Sequence, residues 1–95
     1  MSIWRVLVIV ELNRAVAVAM AFGPAAGLAI VDVLSEEKSL ERYHLLPTVR
    51  GDLLFKLGRF EEACFEFERA ASLTRNARER ELLLERARAC KQSHG

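Results

Sequence analysis

The sequence holds few of the residues on which metal sites and disulfide scaffolds depend. Of its 95 residues, two are cysteines and two are histidines. Cys64 and Cys90 lie far apart, and neither His44 nor His94 stands at metal-ligand spacing from them. A secreted disulfide scaffold needs more cysteine, and a zinc site needs clustered ligands. We therefore expect no metal, no cofactor and a reducing, cytoplasmic environment, with Cys90 half exposed.

Catalytic and nucleotide-binding motifs are also missing. The sequence contains no GxSxG, P-loop or GxGxxG motif, and no strand precedes the glycines of GPAAG. Glu61 and Glu62 are adjacent, but neighbouring positions on a helix diverge by about 100°, so they do not share a site. The sequence predicts that the protein is not an enzyme.

Neither sign of charge is in large excess, because the formal net charge is only +1. Residues 75–95 carry six Lys or Arg against three Glu, but the acids interleave and aromatic residues are absent there. Binding along a nucleic-acid backbone calls for a more basic surface with stacking aromatics. We expect a solvated terminal helix and no direct nucleic-acid binding.

The chain has one long apolar run, AVAVAMAFGPAAGLAIV, at residues 15–31. A membrane span needs about 20 predominantly apolar residues. This run is rich in alanine and has Gly23-Pro24 near its middle, which favours two short helices of a hairpin. A small membrane protein that spans with residues 15–34 is the alternative.

Helical periodicity is clearest after residue 45. One face of the helix predicted around Phe67 is apolar or small, and the other is charged. The predicted inner positions are Phe60, Ala63, Cys64, Phe67, Ala70 and Ala71, and the predicted solvent positions are Glu61, Glu62, Glu66, Glu68 and Arg69. Asn76 is a candidate N-cap, with Glu79 placed for a capping box. We predict one all-α domain over residues 1–95, with helices near 3–22, 24–35, 45–57, 60–73 and 77–91.

A repeat spacing is visible, since Gly23 and Gly58 are 35 residues apart and the tetratricopeptide period is 34. The predicted fold is a stack of antiparallel helical hairpins of this type. Its expected helix-packing residues are Gly51, Leu54, Gly58, Ala63, Phe67 and Ala70. Small residues at Gly51 and Ala63 would let two backbones approach closely, with Phe67 filling the space beside them.

Three segments, in order, resemble the tetratricopeptide-like C-terminal extension of bacterial extracytoplasmic-function (ECF) sigma factors: ELNRAVAVAMAFGPAAGLAIVD, YHLLPTVRGDLLFKLGRFEEA and LTRNARERELLLERARAC. The resemblance implies a helical module that regulates the sigma factor through protein contacts. Nothing here corresponds to the family's two upstream domains, which bind RNA polymerase and read the promoter. We therefore expect a detached module whose partner is related to a sigma factor or RNA polymerase. The alternative is a free-standing tetratricopeptide adaptor unrelated to transcription.

Six residues are candidate partner contacts. Trp4 and Tyr43 are possible aromatic anchors, and Arg50 and Asp52 are possible polar contacts beside Gly51. Leu7 and Ile9 belong to a predicted helix over residues 3–22 that is apolar all round near its start, so a single hairpin cannot bury every side chain. An exposed apolar patch of this kind marks an interface, and we expect a homodimer through residues 3–22.

Overall fold

The computed structural model describes residues 3–37, 40 and 43–94, with side chains between residues 6 and 92, and contains no strand within those ranges. Each helix packs on the next along the chain. The short connections make successive helices antiparallel. The predicted all-α stack of hairpins is thereby confirmed. The helices are α1 (Ile3–Phe22), α2 (Pro24–Ser35), α3 (Leu45–Lys56), α4 (Phe60–Leu73) and α5 (Ala77–His94).

Gly23 divides the apolar run into two helices. Its φ of 107° is a conformation that favours glycine, and Pro24 follows at the start of α2. The returning helix comes very close at Gly27, where a Cβ would lie 2.6 Å from the Ala15 carbonyl oxygen and 2.7 Å from Ala19 Cβ. Among the described helices, none combines the length and the apolar character that crossing a bilayer requires.

The α3–α4 hairpin is organised around the ring of Phe67, which is 1% exposed. A Cβ on Gly51 would lie 2.9 Å from Phe67 Cε1, so the glycine makes room for the ring. Gly58 ends the first helix of the pair with a φ of 81°, and Arg59 N donates to Leu54 O at 2.9 Å. The remaining packing residues of the prediction, Leu54, Ala63 and Ala70, are completely buried.

The α4–α5 connection carries the predicted N-cap. Asn76 Oδ1 accepts a hydrogen bond from Glu79 N at 3.0 Å. In a complete capping box the Glu79 side chain would accept a hydrogen bond from Asn76 N. Here the Thr74 hydroxyl accepts that hydrogen bond instead, at 3.2 Å, and donates to Glu79 Oε1 at 2.7 Å. Arg80 Nη2 donates to Thr74 O at 3.0 Å, which ties the turn to α5.

Two burial predictions were wrong. Glu66, predicted on the solvent side of α4, is 5% exposed, and Cys90, predicted to be half exposed, is completely buried. Both errors have the same cause, because α4 and α5 pack along their length and α4 also packs on α3. Burial of α4 therefore extends beyond a single stripe.

Candidate partner-binding surface

A cleft of about 650 Å³ lies where α1, the start of α3 and the α4–α5 turn meet. We call it the turn cleft. Its apolar wall includes Ile9, 44% exposed, and Leu73. Its polar wall is built from the α4–α5 turn, because the hydrogen bonds of Thr74 and Asn76 fix that backbone. The residues that line the turn cleft are Ile9, Tyr43, His44, Leu73, Thr74, Arg75, Asn76 and Glu79.

A second cleft, of about 340 Å³, lies between α3 and α5. We call it the α3–α5 cleft. Two of the leucines that line it, Leu45 and Leu82, are partly exposed large apolar residues. His44 and Glu79 line both clefts. The surface therefore runs from α1 across α3 to α5, with apolar side chains on either side of a polar centre.

That centre is a pair of side chains from two helices. His44 Nε2 lies 2.9 Å from Glu79 Oε1, the same oxygen that accepts from Thr74. The backbone N–H of Glu79 also donates the N-cap hydrogen bond to Asn76 Oδ1. The carboxylate is thus positioned by the turn and by the residue that precedes α3. This arrangement offers fixed polar groups between apolar surfaces, as peptide-recognition grooves do.

The structure brings two of the predicted partner residues together. Ile9 and Tyr43 lie in the same turn cleft, although they come from distant parts of the sequence. Leu7 is 47% exposed and lies on another side of α1. Trp4 falls on α1, but its side chain lies outside the described part of the chain. Sequence reasoning missed His44, Thr74 and Glu79 as members of one surface.

Arg50, predicted as a partner contact, lies in an ion-pair network that joins three helices. Its Nε donates to Asp32 Oδ1 of α2 at 2.8 Å, and its Nη1 donates to Glu66 Oε2 of α4 at 2.6 Å. Burial alone would lower the pKa of Arg50, but the two carboxylates outweigh it and raise that pKa above its usual value. These contacts give Arg50 a role in holding the two hairpins together.

Asp52, the other predicted polar contact, joins α3 to α5. Arg86 Nη2 donates to Asp52 Oδ1 at 2.6 Å, and Lys56 Nζ lies 3.1 Å from Oδ2. The Arg86 guanidinium also lies 4.5 Å from the centre of the Phe67 ring, within cation–π range. The Asp52–Arg86 pair therefore helps to hold α5 over the buried ring.

We expect the stability gained from Asp52 to depend on pH. Burial would raise the pKa of Asp52, but the hydrogen bonds and positive charges of Arg86 and Lys56 together outweigh it and lower that pKa from an ordinary 3.8. A carboxyl with a depressed pKa stabilises the fold above its unfolded-state pKa and loses that contribution as the pH falls through the folded-state value. Asp52→Asn should therefore lower the urea midpoint at neutral pH, and the difference from wild type should shrink below pH 3.8.

The matched control for this prediction is Glu81→Gln on the exposed side of α5. That variant should follow the wild-type midpoint throughout the same pH series. A deficit for Asp52→Asn that stays constant from neutral to strongly acidic pH would contradict the assigned ion pairs.

The two cysteines lie in the α4–α5 interface and are not exposed thiols. Burial raises the pKa of Cys64, with a further contribution from Glu68, whose Oε2 lies 3.6 Å from the sulfur. Burial also raises the pKa of Cys90, and Cys64 contributes to that increase. Reactive thiols have lowered pKa values and access to solvent. Both cysteines are therefore core residues.

Comparison with known proteins identifies a relative of part of the chain. No family model and no solved structure matches the chain. An uncharacterized protein of Rhizobium meliloti (strain 1021) is 48% identical over 71 residues, which cover 75% of this chain and 16% of that protein. The chain therefore spans about a sixth of the length of this relative.

Proposed function

We propose that the chain is a protein–protein interaction module that acts in transcription regulation, as the C-terminal extension of an ECF sigma factor does. The observation that carries the interaction role is the continuous surface formed by the turn cleft and the α3–α5 cleft. It combines exposed Ile9, Leu45 and Leu82 with the polar pair of His44 and Glu79. Exposed apolar residues grouped around a few fixed polar groups are typical of partner-binding surfaces.

The link to transcription rests on the sequence resemblance described above. The hairpin stack agrees with the fold that this resemblance implies. The Rhizobium relative adds that a similar segment occurs inside a much longer chain, since the aligned residues amount to only 16% of it. In that relative, the similar segment is therefore a module within a longer protein. We propose that the present chain contacts other domains through the surface described above.

The proposed partner is an ECF sigma factor of the same genome, tested as its two polymerase- and promoter-binding domains. Titration calorimetry with the purified chain should show saturable binding. Leu82→Glu should weaken that binding by at least about tenfold, because it places a charge in the apolar part of the α3–α5 cleft.

Leu84→Glu is the matched control, because it makes the same change on the same helix at a partly exposed residue outside both clefts. It should bind as the wild type does. If the sigma-factor domains do not bind, the transcription role is wrong. If both variants weaken binding equally, the cleft is not the binding surface.

A further inference from the structure

A third cleft, of about 320 Å³, lies between α3 and the first half of α4. We call it the Phe65 cleft, after the largely exposed aromatic ring on its wall. It shares no lining residue with the turn cleft or the α3–α5 cleft. The residues that line it are Arg50, Glu61, Glu62, Phe65 and Glu66. It is therefore a separate feature of the surface.

Glu66 forms the floor of the Phe65 cleft, because its side chain is only 6% exposed while the other α4 residues of the cleft are exposed. Its Oε2 accepts a hydrogen bond from Arg50 at 2.6 Å. Its Oε1 is buried, and no group in the described part of the chain donates a hydrogen bond to it. Arg69 Nη1 lies 4.0 Å away, beyond hydrogen-bond distance. Since buried polar atoms are normally hydrogen-bonded, Glu66 has an acceptor left over at this floor.

The charge of the Phe65 cleft favours a cation. Three carboxylates and one guanidinium line it, which leaves two negative charges in excess. The guanidinium of Arg50 is already shared between Glu66 and Asp32. At the rim, Arg59 donates two hydrogen bonds to Glu62, and that pair is largely exposed. An incoming positive charge therefore meets an acidic surface whose own arginines are engaged.

The aromatic ring favours an organic cation. Residues 61 and 65, and residues 62 and 66, are each one helical turn apart, so the Phe65 ring lies beside the carboxylates. A cation over an aromatic face is attracted by the ring. The chain already contains such an arrangement, because Arg86 lies 4.5 Å from the centre of the Phe67 ring and donates to Asp52 at 2.6 Å. The Phe65 cleft offers the same two contacts to an arginine from another molecule.

We propose that the Phe65 cleft binds an arginine side chain of a partner protein, which donates to Glu66 Oε1 and stacks on the Phe65 ring. A guanidinium suits this site better than the ammonium of lysine, because it is planar, less strongly hydrated and carries several donors. Glu66 Oε1 lies below the surface, so the exposed Glu62 side chain turns aside as the guanidinium enters, and breaking an exposed ion pair costs little. The inference does not depend on the proposed sigma-factor partner, which uses the other two clefts.

Nuclear magnetic resonance titration of the isotope-labelled chain tests the proposal, with Nα-acetyl-arginine methylamide as the probe. The probe should bind saturably with a dissociation constant of about 1 mM, an affinity within reach of a ligand of this size. The shifted amides should centre on residues 61–69. The citrulline counterpart has the same shape without the charge and should bind at least about tenfold more weakly. The lysine counterpart should also bind more weakly than arginine.

Variants then locate the site. Phe65→Ala and Glu66→Gln should each weaken binding of the arginine probe by at least about fivefold. Glu68→Gln is the matched control, because it makes the same change on α4 at an exposed residue outside the cleft. It should bind the probe as the wild type does, and so should Leu82→Glu in the α3–α5 cleft. Circular dichroism checks the fold of each variant, and Phe65→Ala decides the question if Glu66→Gln is unfolded.

Three results would overturn the proposal. The first is equal affinity for the arginine and citrulline probes, which would mean that the charge of the cleft plays no part. The second is a lysine probe that binds as tightly as arginine. The third is a folded Phe65→Ala variant that binds the arginine probe as tightly as Glu68→Gln does, which would place the binding site elsewhere.

Discussion

Replacing Phe67 by alanine should lower the free energy of unfolding by about 3–5 kcal/mol, the usual cost of removing a buried aromatic ring. The ring is 1% exposed and fills the space that Gly51 leaves between α3 and α4. Arg86 of α5 stacks on it at 4.5 Å, so three helices lose a contact at once. Domains of this size are stable by only about 5–15 kcal/mol. Urea denaturation of Phe67→Ala measures the loss.

Phe65→Ala is the control on the same helix, because Phe65 is 62% exposed. It should change the urea midpoint little. A similar loss for both phenylalanines would mean that the effect belongs to helix α4 in general and not to the buried ring.

A double-mutant cycle then tests why position 51 is glycine. In the wild type, Gly51→Ala should destabilise, since a Cβ 2.9 Å from the ring forces a shift that outweighs the gain in helix propensity. In the Phe67→Ala background the space is vacant, and Gly51→Ala should stabilise by up to about 1 kcal/mol. The same sign in both backgrounds would show that the ring is not the reason for glycine.

Arg50→Met should cost about 3–5 kcal/mol, for a different reason. It removes the hydrogen-bonded cation from Glu66, whose side chain is only 6% exposed, and leaves only the more distant Arg69, at 4.0 Å. A buried charge that loses its close partner is strongly destabilising. Asp32 is also released, but its side chain is 48% exposed and is solvated. The measurement is again the free energy of unfolding from urea curves, with helix content checked by circular dichroism.

Arg59→Met provides the contrast. Arg59 pairs with Glu62 through two hydrogen bonds, of 2.6 and 2.7 Å, but both side chains are largely exposed. Exposed pairs contribute little to stability, so Arg59→Met should change the urea midpoint only slightly. The double variant Arg50→Met with Glu66→Met should recover much of the lost stability, because no charge is left buried. Equal costs for the two arginines would contradict the network.

The helix bounds could be predicted from the sequence because strong local signals stand at the turns. Gly23-Pro24, Gly58 and Asn76 mark three connections, and the predicted bounds agree with the structure to within three residues at every end. These signals act through backbone conformation and capping, which depend on a few neighbouring residues. Local information is sufficient for this part of the fold.

The burial of Glu66 could not be predicted in the same way. Periodicity describes a helix with one buried stripe, yet α4 is buried from Glu66 round to Cys64, an arc of about 160° at 3.6 residues per turn. The acidic residue is tolerated inside because Arg50 arrives from another helix. Which cation meets a given carboxylate depends on tertiary packing, and the single sequence contains no local sign of it.

The turn cleft also depends on tertiary packing and could not be predicted from the sequence. Ile9 and Tyr43 were identified separately as possible contacts, and only the fold brings them into one cleft with the α4–α5 turn. His44 gave no signal, because its pairing with Glu79 joins residues 35 positions apart. His44 precedes α3 and Glu79 lies in the first turn of α5, so only the packing of α5 against α3 brings the two side chains together.

The hydrogen-bonded turn at Thr74 also bears on the order in which the chain folds. The turn joins two long helices through three residues, and Thr74, Asn76 and Arg80 fix its conformation with local hydrogen bonds. Closing so short a loop costs little conformational entropy, and local contacts form faster than distant ones. Local contacts therefore favour early formation of the α4–α5 hairpin, as they do for the α1–α2 and α3–α4 hairpins, whose connections are Gly23 and residues 57–59.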